Sequence, residues 1–468
     1  MSFPAYSAYM DAGVDWLGKI PEHWQQKWLG LLAVESRTAF VDGPFGSDLK
    51  SSDYQEEGIP LIQLNNIRDG LHVLRNMKFI SEEKRNELYR HSAFPGDIVI
   101  AKMADPVARS AIVSDEFSEY VIVADCVKMT PDLTSVDLSF LIWAINSDCV
   151  RISAELMSSG VTRIRINLGQ IKKLRIPYPP LREQTQIARF LDYETARIDA
   201  LIEEQRRLIE LLKEKRQAVI SHAVTKGVDS TVPMKDSGVE WLGKVPEHWV
   251  VSRVKNVASF ITSGSRGWSD YIDESGEDIF LQSGDMDNRL NVLFDKAKRI
   301  ITPEGAEGLR TRLQDGDLVV CITGANTGRV AVVGKVCEAA YVNQHLGLVR
   351  PYVLACNSRY LGYALSSSAC QSYFNVEQYG LKEGLSLTDI AEAPLMVPPL
   401  AEQVKLVEVI ENHLVNLDGL TRDSEMIVEL LQERRAALIS AAVTGKMDVR
   451  GWLPPARAKS SELEQEAV

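Results

Sequence analysis

Apolar residues recur every seven positions along two stretches of the chain. In the first, Leu191, Ile198, Leu212 and Val219 share one column, and Leu201 and Leu208 are assigned to the second column of the seam. In the second stretch Ile410, Leu417, Leu431 and Leu438 share a column, with Leu420 and Ile427 on the other. Each main column has one polar break near its middle, Gln205 and Ser424. A seven-residue period selects left-handed coiled-coil packing, and a single polar layer can fix its register. The pattern predicts two long helices packed antiparallel, with Gln205 and Ser424 meeting near the centre. The alternative is two amphipathic helices, each lying on its own domain. Each run opens with a repeated phrase, Pro180-Leu181-Arg182-Glu183-Gln184 and Pro399-Leu400-Ala401-Glu402-Gln403, which puts proline at the start and Glu in the first turn. The runs end near Lys226 and Lys446. At 1.5 Å rise per residue each makes a rod roughly 65 Å long, which suits a spacer better than a small core.

Elsewhere the period shortens to that of strands. Gly96-Asp97 and Gly316-Asp317 each launch a β-branched run, Ile98-Val99-Ile100 and Leu318-Val319-Val320, and reading these as buried strands follows. Ala111-Ile112-Val113 and Ala331-Val332-Val333 read as partner strands, and short helices are predicted near residues 137–157 and 357–376. Residues 11–24, Asp-Ala-Gly-Val-Asp-Trp-Leu-Gly-Lys-Ile-Pro-Glu-His-Trp, return at 236–249 as Asp-Ser-Gly-Val-Glu-Trp-Leu-Gly-Lys-Val-Pro-Glu-His-Trp. The order is therefore globular unit, helix, globular unit, helix. The fold class is α+β: two mixed α/β domains separated by two long helices packed as an antiparallel coiled coil, a pseudo-twofold internal repeat. The predicted boundaries are 1–179 and 227–398 for the domains, 180–226 and 399–446 for the helices, and 447–468 for a disordered tail.

Composition narrows the function. With 468 residues and 45% hydrophobic content the chain is globular and long enough for several domains. No apolar run is long enough to span a membrane, the N-terminus does not begin a signal peptide, and the six cysteines include no CxxC spacing, so a reduced, cytoplasmic protein is expected. The net charge of −12 argues against a uniformly basic nucleic-acid coat and leaves room for local basic patches.

No catalytic constellation is present. Gly324-Ala325-Asn326-Thr327-Gly328-Arg329 lacks the spacing and the lysine of a phosphate loop, and no zinc motif occurs. His23 and His248, within the repeated Pro-Glu-His-Trp, read as packed structural residues. Polar loops at predicted strand ends are the candidates for nucleic-acid contact, because Asn and Gln can bond adenine edges and Lys or Arg can bond guanine or phosphate. In the first domain these are Ser47, Lys50, Gln63, Asn65, Asn66, Lys102, Arg109, Arg163 and Arg165. In the second they are Ser265, Arg266, Trp268, Gln282, Asn326, Arg329, Asn343 and Gln344, with His345 beside them. Ordinary turn chemistry is the competing reading.

The doubled Gly-Val-(Asp/Glu)-Trp-Leu-Gly-Lys-(Ile/Val)-Pro-Glu-His-Trp, the doubled Pro-Leu-x-Glu-Gln, and helices that both end in Ile-Ser-x-Ala-Val-Thr resemble the specificity subunits of type I restriction-modification systems. The resemblance implies two target recognition domains that each read one half of a bipartite, asymmetric DNA site, separated by a helical spacer. It implies no catalysis by this chain, which would scaffold two methyltransferase and two restriction subunits. S-adenosylmethionine, ATP and Mg2+ would belong to those partners. A protein-only assembly scaffold is the alternative, and the acidic charge is its best support.

Overall fold

The computed structural model describes residues 4–14, 16–103, 106–158, 164–239, 242–303, 306–378 and 384–455. Its contacts fall into two units, residues 1–204 with 427–468, and residues 205–426. The long helices Leu181–Lys226 and Leu400–Val443 are each divided between them.

In the first unit a five-stranded sheet runs in the order Phe40–Asp42, Cys126–Met129, Ile98–Ala101, Ser110–Ile112, Gly70–Leu71. A four-stranded sheet runs Lys78–Ile80, Ile59–Ile62, Tyr120–Ile122, Ser92–Ala93. Ile98–Ala101 is buried along its whole length, as its β-branched run predicts. The second unit repeats the plan with four strands, in the order Ala258–Ser263, Leu346–Pro351, Leu318–Cys321, Val330–Val332, and three, Lys298–Ile300, Asp278–Leu281, Ala340–Val342. The predicted short helices form at Leu138–Asn146 and Asp148–Met157, and at Ser358–Ser366 and Ser368–Glu377.

The repeated Gly-Asp has one task in both units. The Asp97 carboxylate accepts the Phe94 amide at 2.9 Å and lies 3.9 Å from the buried Lys128 ammonium, whose pKa burial pushes down. Asp317 accepts the Gln314 amide at 2.8 Å and takes both Arg350 nitrogens at 2.8 Å. Each carboxylate closes its turn and neutralises a cation from a neighbouring strand.

The other repeated phrases meet each other. Trp24 is buried, and its indole N–H donates to Glu183 at 3.0 Å while His23 bonds the other carboxylate oxygen at 2.7 Å. Trp249 and His248 hold Glu402 in the same way, at 3.0 and 2.8 Å. The adjacent glutamines are fully buried. Gln184 accepts the Asp137 amide and donates to Pro179 O; Gln403 accepts the Asn357 amide and donates to Pro398 O. Asp137 and Asn357 in turn cap the following short helices. Each Trp also faces a helix-ending glycine with left-handed backbone, Gly445 (φ 71°) beside Trp24 and Gly227 (φ 73°) beside Trp249. Trp24 thus stands between the start of one long helix and the end of the other, as does Trp249, so the helices run antiparallel within each unit. Ion pairs Asp199–Arg435 (2.8 Å) and Arg216–Asp418 (3.4 Å) link them in the first and second unit respectively.

The first column of the seam is as predicted: Leu191, Ile198, Leu212 and Ile410 are buried, and Val219, Leu417, Leu431 and Leu438 are half-buried. The second column is a correction. Leu201, Leu208, Leu420 and Ile427 are 41–53% exposed, and their places are taken by Ile202, Ile209 and Leu414. Adjacent heptad columns, 201/208 and 202/209, are both apolar and differ by about 100° around the helix, so the period alone does not choose between them. Ser424 is buried, yet no hydrogen bond joins it to Gln205, whose buried Oε1 has no partner.

The tail expectation also changes. Val449 is fully buried, Trp452 packs edge-on against Phe190, and Gln186 donates to the carbonyls of Val449 and Trp452. Residues 456–468 lie outside the described residues.

Candidate nucleic-acid interface

In each unit the candidate contact residues lie mostly on loops at strand ends. In the first, Phe40–Asp42 turns into the 43–50 loop through Gly43, where a Cβ would fall 1.9 Å from Val123 O. In the second, Ala258–Ser263 turns through Gly264, where a Cβ would fall 2.0 Å from Val342 O. Only glycine allows that approach of backbone to backbone.

Several predicted contact residues turn out to be what holds these loops together. Asn66 is fully buried: its Oδ1 accepts the Gln63 amide, and its Nδ2 donates to Val73 O and Arg75 O. Lys102 is 6% exposed and donates to the Asp42 carboxylate (3.0 Å) and Ala124 O. Arg109 and Arg329 donate to Leu64 O and Met286 O from matching places, and Asn326 donates to Ser283 O. Trp268 is buried against Phe280, Ile300 and Tyr341. Ser265 and Asn343 are buried and bridged through their backbones. Asn66, Lys102, Trp268, Ser265 and Asn343, expected to contact DNA, are buried within the loop framework. The amides of Asn66 and Asn343 meet backbone groups that short loops leave unpaired.

What remains presented to solvent is a smaller set. In the first unit it comprises Ser47, Lys50, Asn65 and Arg165, with Gln63 half-buried; Arg165 pairs with Asp125 at 2.8 Å. Arg163 lies outside the described residues. In the second unit Arg266 is exposed, Gln282 is half-buried, and Gln344 bonds the exposed His345 at 3.1 Å. The His345 Nδ1 meets the Thr323 hydroxyl at 2.5 Å. Thr323, on the loop that follows Leu318–Cys321, was not among the residues singled out from the sequence. Among the described residues no cluster of His, Cys, Asp and Glu could hold a metal ion, and no helix is long and apolar enough to cross a membrane.

A family model described as "Type I restriction modification DNA specificity domain" matches the sequence twice, over residues 47–211 and 246–425. The chain is 26% identical to the type I restriction enzyme EcoKI specificity subunit of Escherichia coli K12, over 95% of this chain and 93% of that one. It is 22% identical to the putative type I restriction enzyme MjaX specificity subunit of Methanocaldococcus jannaschii, over 93% and 96%. A solved structure from work on complex assembly and conformational transition of the type I R-M system superposes with a TM-score of 0.69 at 15% identity, covering 91% of this chain and 98% of that chain.

Proposed function

This chain belongs to the type I restriction modification DNA specificity family, and we propose that it is the non-catalytic, sequence-reading subunit of such a complex. The observation that carries the reading is the doubling: two copies of the family domain, each with polar side chains exposed on strand-end loops. Each head reads one component of a bipartite, asymmetric DNA site. Side chains on glycine-hinged loops supply base contacts, and cations supply phosphate contacts that carry no sequence information.

The assembled complex contains two methyltransferase and two restriction subunits. S-adenosylmethionine, ATP and Mg2+ act in those partners, which supply adenine methylation and ATP-dependent cleavage. What supports two copies of each partner is the repetition of the framework itself: Glu183 with Trp24 and Glu402 with Trp249 present the same local structure twice.

Mapping methylated adenines in a host that carries the system, with and without this chain, tests the reading. A two-part motif with a fixed gap is expected, and one base pair inserted into that gap abolishes binding by the assembled complex. A complex with no salt-dependent DNA affinity would instead leave the protein-only scaffold.

A further inference from the structure

Where the 287–290 loop of the second head meets the long helices, a cleft of about 540 Å³ is lined by Lys213, Arg216, Arg289 and Arg329 together with Asp287 and Asp418. Asp418 is shared between Arg216 (3.4 Å) and Arg289 (3.2 Å). Asp287 is occupied by the Arg289 and Asn291 amides. Lys213 pairs with Glu210 one turn back on its own helix at 2.8 Å, with its side chain 58% exposed; that of Arg289 is 44% exposed. Four cations thus line the cleft against Asp287 and Asp418, with Glu210 a third carboxylate held by Lys213. Its aliphatic members Leu290 and Val330 are only 4% and 3% exposed, so neither offers an anchor to a protein partner. The matching cleft of the first unit, about 400 Å³, has the opposite character. It is lined by Trp143 and the 63% exposed Leu71, and it sets Asp69, Asp148 and Asp192 against Arg151 and Arg435.

We propose that the second unit's cleft grips the DNA backbone beside the bases its loops read, with Lys213 and Arg289 as positioning residues. Contiguity supports this, since Asn326 and Arg329 belong both to the strand-end loops and to the cleft wall. A net excess of one cation, with Lys213 and Arg289 the exposed ones, suits a phosphate backbone and supplies affinity independent of sequence. The inference rests on the DNA-reading function proposed above.

The test uses the full chain in its assembled complex and fluorescence anisotropy on two labelled duplexes, one carrying the mapped site and one scrambled, over a NaCl series. Lys213→Gln and Arg289→Gln should weaken both duplexes by the same factor. Each should lower the slope of log affinity against log salt by about 0.9. Lys213→Arg should restore wild-type values, and thermal unfolding should be unchanged in the Lys213 variants. Unchanged slopes, or loss confined to the mapped site, overturn the proposal. So does loss of a partner subunit on gel filtration with DNA slopes intact, which would make the cleft a seat for an acidic protein segment. If the wild-type complex binds neither duplex, the DNA-reading function itself fails, a result distinct from a silent variant.

Discussion

At the scale of single residues, the repeated histidine, tryptophan and glutamate form one device. Glu402→Ala strands the buried Trp249 N–H and should cost about 1–3 kcal/mol in denaturant unfolding. Glu183→Ala should cost more, because Tyr6 also donates to Glu183, at 3.1 Å, and loses its acceptor. His72 gives a pH signature. It is buried, its Nε2 has no partner, and desolvation lowers its pKa from 6.5 to about 4. Between those values the unfolded chain binds the extra proton, so stability falls as pH drops from 6.5 towards 4. The loss approaches about 3 kcal/mol; a His72→Gln variant followed by unfolding across that range should show a flatter acid limb. The repeat could be read from Pro-Glu-His-Trp, but not that Glu183, some 160 positions on, was its partner. Likewise Asn66 and Asn343 look like base readers in sequence. An amide that satisfies a neighbouring loop and one that faces solvent are the same letter, and only burial separates them.

The two long helices show what periodicity does and does not specify. Their existence, starting points and main column were legible in the heptad spacing and in Pro-Leu-x-Glu-Gln. The second column was not, because leucines and isoleucines occupy neighbouring rows. The distinction is measurable. Ile202→Asp and Leu212→Asp place a charge in the buried seam and should each cost several kcal/mol. Leu201→Asp, at a 43% exposed position, should stay within about 0.5 kcal/mol. Equal damage at 201 and 202 in thermal unfolding would contradict the packing described. The strands were read correctly from Gly-Asp and β-branched runs, since a strand buried on both faces needs little more than that pattern.

Across the whole molecule, each head begins and ends at one two-stranded junction. Gln25–Trp28 pairs with Arg175–Tyr178, and Val250–Arg253 with Pro394–Val397. Replacing residues 29–174 by residues 254–393 should therefore leave the junction strands and both Trp–Glu locks in place. The resulting chain, with two copies of one head, should direct methylation to a motif built from two copies of one component, as read by sequencing modified adenines. Retention of the original motif would show that the heads do not carry the specificity.

That junction has an evolutionary consequence. Because a head leaves the framework through neighbouring strands, genetic exchange can deliver an unrelated reader between them without asking the rest of the chain to refold. New addresses on DNA then arise by substitution of whole paragraphs rather than by the slow editing of letters.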